Sequence, residues 1–335
     1  MRHRLLQVTG NVALALTLLL GSALSSAQSG HPATPPATPP THWGPVSISL
    51  ENVPYPYPVQ FLGRNIMGQD VRIAYMDAAP TGRANGRSVV LLHGSSYYGW
   101  YWEDTIAALT AEGYRVITVD RLGWGRSSKP VLPYSHELHS ANTRAILEHL
   151  GIDEAAVVGH SLGGRMASYF AFTYPEVTTQ LVMVNPIALG IRDQARRYAD
   201  PSGEDVNPDL VELYRANLAQ EQRRVVDWKP EFLEHVRIRY SYALSGEYPR
   251  LELVRALNRG LTSESISGFW PQIETPTLLI GGAEDGPDYP DVSRAAVDLL
   301  ANGELLMIPN VGHNPHLESP ELFNDELIRF LSRGT

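Results

Sequence analysis

The chain has 335 residues, 43% hydrophobic and 19% charged, which is enough for one large core or two small ones. Its formal charge of -9 argues against a nucleic-acid partner. It has no cysteine, which excludes disulfides and thiol catalysis, and neither lysine, Lys129 or Lys229, sits in a nucleophile motif for Schiff-base chemistry.

The first segment reads as a leader. Arg2 and Arg4 precede an apolar run from Val12 to Leu20 that extends through Ala23-Leu24, and Ser25-Ser26-Ala27 offers the small residues a signal peptidase reads. The run is short for a membrane span. Residues 1–27 are therefore expected to be a signal peptide cleaved near Ala27, with export to the periplasm or the exterior and no stable membrane span after processing. Residues 28–46 follow, centred on the prolines from Pro32 to Pro40. Prolines this dense sustain neither a helix nor a ladder, so the segment reads as an extended, unpacked linker. The folded domain is expected over 47–335.

Two strands come first, Val59 to Leu62 and Val71 to Met76, joined through Gly68-Gln69-Asp70. Short apolar runs then alternate with helical stretches: Val89 to Leu92, Val116 to Val119, Ala155 to Val158, Leu181 to Val184, Thr277 to Ile280 and Leu305 to Ile308. Runs apolar on both faces suit strands covered on both sides, as in a parallel sheet. Leu138, Ala141, Ala145, Ile146 and Leu150 make one helical face, closed by Gly151. Ser319 before Pro320 starts a last helix running to about Leu331. The fold class is α/β, a mostly parallel central sheet with helices on both faces. The alternation breaks from about 187 to 273, where helices are expected near Pro208 to Arg224, Lys229 to Leu244 and Arg250 to Arg259. This reads as an inserted helical cap, rich in aromatic rings.

The stretch Gly159-His160-Ser161-Leu162-Gly163-Gly164 lies between a strand and a helix-forming run. Small residues two before and two after Ser161 allow a tight bend that pushes its hydroxyl into the open. A serine needs a base to take its proton, and the base needs a carboxylate to fix its tautomer. Asp285 lies in the loop beyond the strand Thr277 to Ile280, and His313 in the loop beyond Leu305 to Ile308. Parallel strands place these ends at one edge, so Ser161, Asp285 and His313 can converge, in the chain order Ser, Asp, His. His160 should face away from the bend, His93 is read as structural, and His316 would begin the final helix. Glu284, Asp288 and Asp291 are weaker candidates than Asp285. Asn185, beyond the strand ending at Val184, cannot ionise. Gly123 and Gly125 lack the rest of a dinucleotide fingerprint. The scattered histidines suggest no metal site, and no cofactor is expected.

These motifs, with His93-Gly94-Ser95-Ser96 and Asp120-Arg121-Leu122-Gly123-Trp124-Gly125-Arg126-Ser127 after their strands, resemble the α/β-hydrolase superfamily over essentially residues 59 to 331. The resemblance is to its serine-nucleophile branch with a helical cap. It implies an oxyanion hole from the backbone N–H groups of Leu162 and Ser95. The expected activity is hydrolysis of a carboxylic ester, thioester or lactone through an acyl-enzyme, on a small molecule with an apolar part. Alternatives are carbon–carbon bond hydrolysis or perhydrolysis by the same fold, or a ligand-binding sensor that kept the fold without turnover.

Overall fold

A computed structural model of the chain describes residues 34–95, 97–187, 189, 208–262 and 266–333. The leader assigned to residues 1–27 lies outside the described residues, as does the start of the linker.

Strands β1 (Val59–Ile66) and β2 (Gln69–Ala78) form an antiparallel hairpin in which Ile66 faces Gln69. Met67 and Gly68 carry positive φ, 50° and 77°, as a two-residue hairpin turn demands. There follow β3 (Ser88–Leu92), α1 (Glu103–Ala111), β4 (Arg115–Val119), α2 (His136–His149), β5 (Ala155–His160), α3 (Leu162–Thr173) and β6 (Thr178–Val184). Between β6 and the next strand the described residues form helices only: α4 (Leu210–Gln222), α5 (Phe232–Ala243), α6 (Tyr248–Arg259) and two short 3₁₀ turns. The chain then returns through β7 (Thr277–Gly282), α7 (Tyr289–Val297), β8 (Gly303–Ile308), the one-turn α8 (Pro315–Glu318) and α9 (Pro320–Ser332). The sheet order is β1-β2-β4-β3-β5-β6-β7-β8, parallel throughout except for the β1 and β2 pairings.

The apolar runs are explained by what covers them. Val90 and Leu92 face one core with Ile146 and Leu147 of α2 and Met166 and Phe170 of α3. Val89 and Leu91 face the other, with Ile106 and Leu109 of α1 and Phe323 and Leu327 of α9. Alternate residues of one strand thus bury in opposite layers, each large side chain stabilising by roughly 2 kcal/mol before chain entropy is subtracted. The Ser135 hydroxyl caps α2 by accepting from the Leu138 N–H, and Gly151 beyond its end has φ 65°. Ser319 precedes α9 without a side-chain cap bond, so Pro320 in the first turn sets that start.

The linker reading is corrected over its described part. The Tyr214 hydroxyl donates to the Pro36 carbonyl at 2.6 Å, and the Val46 N–H donates to Ser241 O at 3.2 Å. Trp43 is buried among Tyr214, Leu233, Val236 and Tyr240 of α4 and α5. Val46, Ile48, Leu50 and Val53 continue the contact onto Ile238, Tyr242, Tyr248 and Leu251. Proline removes N–H donors but leaves the carbonyls and a stiff extended path. A few apolar anchors were enough to lay that path on the helical insertion.

Candidate active site

β5 ends at His160, and the next residue bends sharply. Ser161 has φ 57° and ψ -119°, and its N–H donates to Val184 O at 2.8 Å on the neighbouring strand. A non-glycine residue there costs of order 1–3 kcal/mol, sustained by the surrounding packing. The flanking glycines explain how the bend fits. A Cβ on Gly159 would lie 2.0 Å from the Gly163 carbonyl oxygen, and one on Gly163 would lie 2.2 Å from that of Leu92. Ser161 therefore stands at the N-terminus of α3, close to Gly94, where a Cβ would come 3.2 Å from Ser161 Cβ.

Asp285 follows β7 and His313 follows β8, and they meet: His313 Nδ1 lies 2.8 Å from Asp285 Oδ2. The remaining backbone of His313 is held as well. Its N–H donates to Arg224 O at 2.6 Å, and its carbonyl accepts from His160 Nε2 at 2.8 Å. The Glu318 carboxylate accepts from the flanking N–H groups of Gly312 and Asn314, each at 3.0 Å, and from Val226 N–H at 2.8 Å. Asn185, set aside as unable to ionise, belongs to this assembly. It sits beyond β6 with φ 39°, donates to Asp285 Oδ2 at 2.9 Å, and accepts from Gly282 N–H at 3.0 Å. Its place past a strand end at the same sheet edge was the sequence signal for it.

Among the described residues the Ser161 hydroxyl makes no hydrogen bond to His313; the elbow reaches the base through His160, whose ring centroid is 4.9 Å from that of His313. Ser95 and Leu162, the neighbour of Ser161, both line a cavity of about 660 Å³, whose lining does not include Ser161, His313 or Asp285. Leu162 opens α3, where backbone N–H groups lack intrahelical partners. The Ser95 carbonyl is held by the Trp124 indole N–H.

A family model described as the alpha/beta hydrolase family matches residues 89–326. The chain belongs to the alpha/beta hydrolase family. It is 31% identical over 284 residues to a 2-hydroxy-6-oxononadienedioate/2-hydroxy-6-oxononatrienedioate hydrolase of Burkholderia vietnamiensis, covering 79% of this chain and 93% of that protein. It is 27% identical over 270 residues to a 2-hydroxy-6-oxo-6-phenylhexa-2,4-dienoate hydrolase of Burkholderia cepacia, covering 74% and 89%. Among solved structures, a probable hydrolytic enzyme of Pseudomonas aeruginosa PAO1 superposes with a TM-score of 0.76 at 31% identity, covering 86% of this chain and 99% of that one.

The other polar residues of this alpha/beta hydrolase fall into place by their partners. His93 donates from Nδ1 to Gly94 O at 2.7 Å and accepts at Nε2 from Arg121 N–H at 3.1 Å, so it shapes the loop ahead of Ser95. His316 is buried against Trp102 and Tyr101, and neither ring nitrogen has a hydrogen-bond partner among the described residues. Glu284, Asp288 and Asp291 are exposed. Asp120 accepts from Gly99 N–H, Arg126 N–H and the Tyr55 hydroxyl, each at 2.7 Å, which ties down the loop holding Gly123 and Gly125.

The cavity runs from Ser95 and Leu162 to α4, α5 and α6. Beside it Glu221 is fully buried and bound by Arg239, by His235 Nδ1 at 2.8 Å and by the Tyr97 hydroxyl at 3.0 Å. Burial is the largest single influence and works against this carboxylate, but Arg239, His235 and Arg224 together outweigh it and hold the group below the usual carboxylate range. Arg239 spends only one nitrogen on Glu221. Among the described residues its Nε and Nη1 are buried without partners, as is Asn217 Nδ2, and both residues line the cavity. Lys129 also lines it; burial pushes its ammonium down to about 7, against the pull of Asp120.

Proposed function

We propose that this protein is a serine hydrolase in which Ser161 is the nucleophile, His313 the base and Asp285 the residue that orients it. The observation that carries the reading is the 2.8 Å bond between His313 Nδ1 and Asp285 at the sheet edge that also presents the Ser161 elbow. With Nδ1–H donated to Asp285, Nε2 is left bare to accept a proton. In this reading Ser161 Oγ attacks a substrate carbonyl while Nε2 takes its proton. The Leu162 and Ser95 N–H groups stabilise the oxyanion, and losing one such donor typically costs roughly 3 kcal/mol. His313 returns the proton to the leaving group, and water then releases the acyl group by the same path. The bond we favour is a carboxylic ester, thioester or lactone, in a substrate whose apolar part fits the cavity under the cap. Export after cleavage near Ala27 belongs to the same proposal, and the intact mass of the secreted form tests it.

The test is turnover of p-nitrophenyl esters of increasing acyl length by the wild type and by Ser161→Ala, with phosphonate labelling of Ser161. Turnover lost in the variant is the expected result; a variant as active as the wild type ends the proposal. A second reading has its own support. The curated relatives above are named for acidic dienoate substrates, and Arg239, which lines the cavity, carries two buried nitrogens without partners among the described residues. In that reading the bond cleaved is carbon–carbon, in a substrate bearing a carboxylate. Following a 2-hydroxy-6-oxodienoate by its absorbance against the ester panel decides between the two bonds.

A further inference from the structure

We propose that His160 is a positioning residue that joins the oxyanion loop to the base loop, so that one chain of hydrogen bonds sets both. The inference rests on the roles given above to Ser161, His313 and Ser95. The His313 carbonyl only accepts, so the proton between it and His160, at 2.8 Å, is on His160 Nε2. In the neutral ring Nδ1 is then bare and accepts from the Tyr101 hydroxyl at 2.9 Å. Tyr101 has given away its only proton, and its oxygen accepts from the Gly94 N–H at 2.9 Å. Every proton has one assignment, and the chain runs from Gly94 N–H through Tyr101 and His160 to His313 C=O.

The members stand where small displacements reach the chemistry. Gly94 precedes Ser95, His160 precedes Ser161, and the last acceptor is His313 itself. A shift at any link moves an oxyanion donor, the elbow or the base relative to the others, and a misplacement of about 1 Å can cost about 100-fold in rate. The ring is fully buried, and both its nitrogens are taken, by the Tyr101 hydroxyl and the His313 carbonyl, so it has no atom left to offer a substrate. Burial, then the neighbouring imidazoles of His316 and His313, keep it neutral, and the two hydrogen bonds fix the tautomer. Its neighbour His316 sits 4.7 Å away centroid to centroid and makes no hydrogen bond, which provides an internal packing control.

The experiment is steady-state kinetics on a p-nitrophenyl ester, with thermal melts, for His160→Ala, His160→Gln, Tyr101→Phe, His316→Leu and Ser161→Ala. Tyr101→Phe deletes one hydroxyl and keeps the ring, so it tests the chain even where His160→Ala fails to fold. We expect kcat to fall about tenfold in Tyr101→Phe and up to about 100-fold in His160→Ala, with KM within about twofold. We expect His160→Gln, which keeps a donor and an acceptor, to recover part of the loss. Combining Tyr101→Phe with His160→Ala should add little, because both cut the same chain. His316→Leu should keep kcat. Unchanged kcat in Tyr101→Phe, or an equal loss in His316→Leu, overturns the inference. Turnover surviving in Ser161→Ala overturns the functional reading beneath it instead.

Discussion

The sheet edge and the cap wall treat their polar groups in opposite ways. At the edge, His313 has its ring Nδ1, its N–H and its carbonyl each paired, and Asp285 is supported by Asn185. At the wall, Arg239 keeps Nε and Nη1 unpaired and Asn217 keeps its Nδ2 unpaired, though both line the cavity. An unpaired buried donor costs about 1–3 kcal/mol, so leaving several beside a cavity is a standing cost that a ligand acceptor would relieve. The assigned base and its carboxylate are oriented by bonds already made, although the Ser161 hydroxyl has none to His313, while Arg239 and Asn217 at the wall keep nitrogens without partners among the described residues. The largest test of this contrast is Asp285→Asn. The amide presents a donor where His313 Nδ1–H needs an acceptor and favours the wrong tautomer, so kcat should fall by about 10⁴ with little change in KM. A loss under about tenfold in ester kinetics would place the orienting carboxylate elsewhere.

Residues 36–46 lie along the outer helices α4 and α5 of the wall, and Trp43 is their main anchor there. Its ring is packed against Tyr214 and Tyr240, with centroids at 5.9 and 5.8 Å. Trp43→Ala should cost about 3 kcal/mol, read as a lower urea midpoint. A midpoint matching the wild type would mean that residues 36–46 lie on the cap without holding it.

How much of this was legible in the sequence depends on where the information sits. Strands such as Val157-Val158 and Leu278-Leu279 are apolar on both faces because both faces are covered, and composition alone reports that. The elbow was legible because Gly159 and Gly163 are sterically required. Asp285 and His313 were legible because strand ends collect at one edge. The supports of His313 were not, since two of them use backbone carbonyls, Arg224 O and its own, and any residue type has a carbonyl. His160 reads in the sequence as facing away from a bend that turns Ser161 outward; what it faces is a main-chain oxygen 153 positions later. The packed linker was missed because its proline content outweighed Trp43 and Val46. Asn185 was missed because it was judged by its charge, not by its position.

On the wall side, Arg239→Lys sharpens the contrast at smaller scale. Lysine keeps a cation near Glu221 but loses the planar fork. KM for a carboxylate-bearing substrate should rise about tenfold relative to a neutral ester of the same length. Equal shifts for both substrates would show that the unpaired nitrogens do not select for acids.

His316 is an exception on the edge side, with the Asn314 side chain beside it: a buried imidazole with no partner for either nitrogen among the described residues. Burial, with His235 and His313 adding to it, holds its pKa well below the usual imidazole value. The sign follows from where the proton binds. As pH falls below about 6.5 the unfolded chain protonates this ring and the folded chain does not, so stability is lost with acid. One such ring contributes at most about 1.4 kcal/mol per pH unit below that point. His316→Leu removes that proton uptake and keeps an apolar filling against Trp102, so urea midpoints measured from pH 7 to pH 5 should fall less steeply than in the wild type. Parallel curves would mean that the folded protein protonates His316 readily. The ring would then have a polar partner, and Asn314 would be left as the unpaired side chain beside His313.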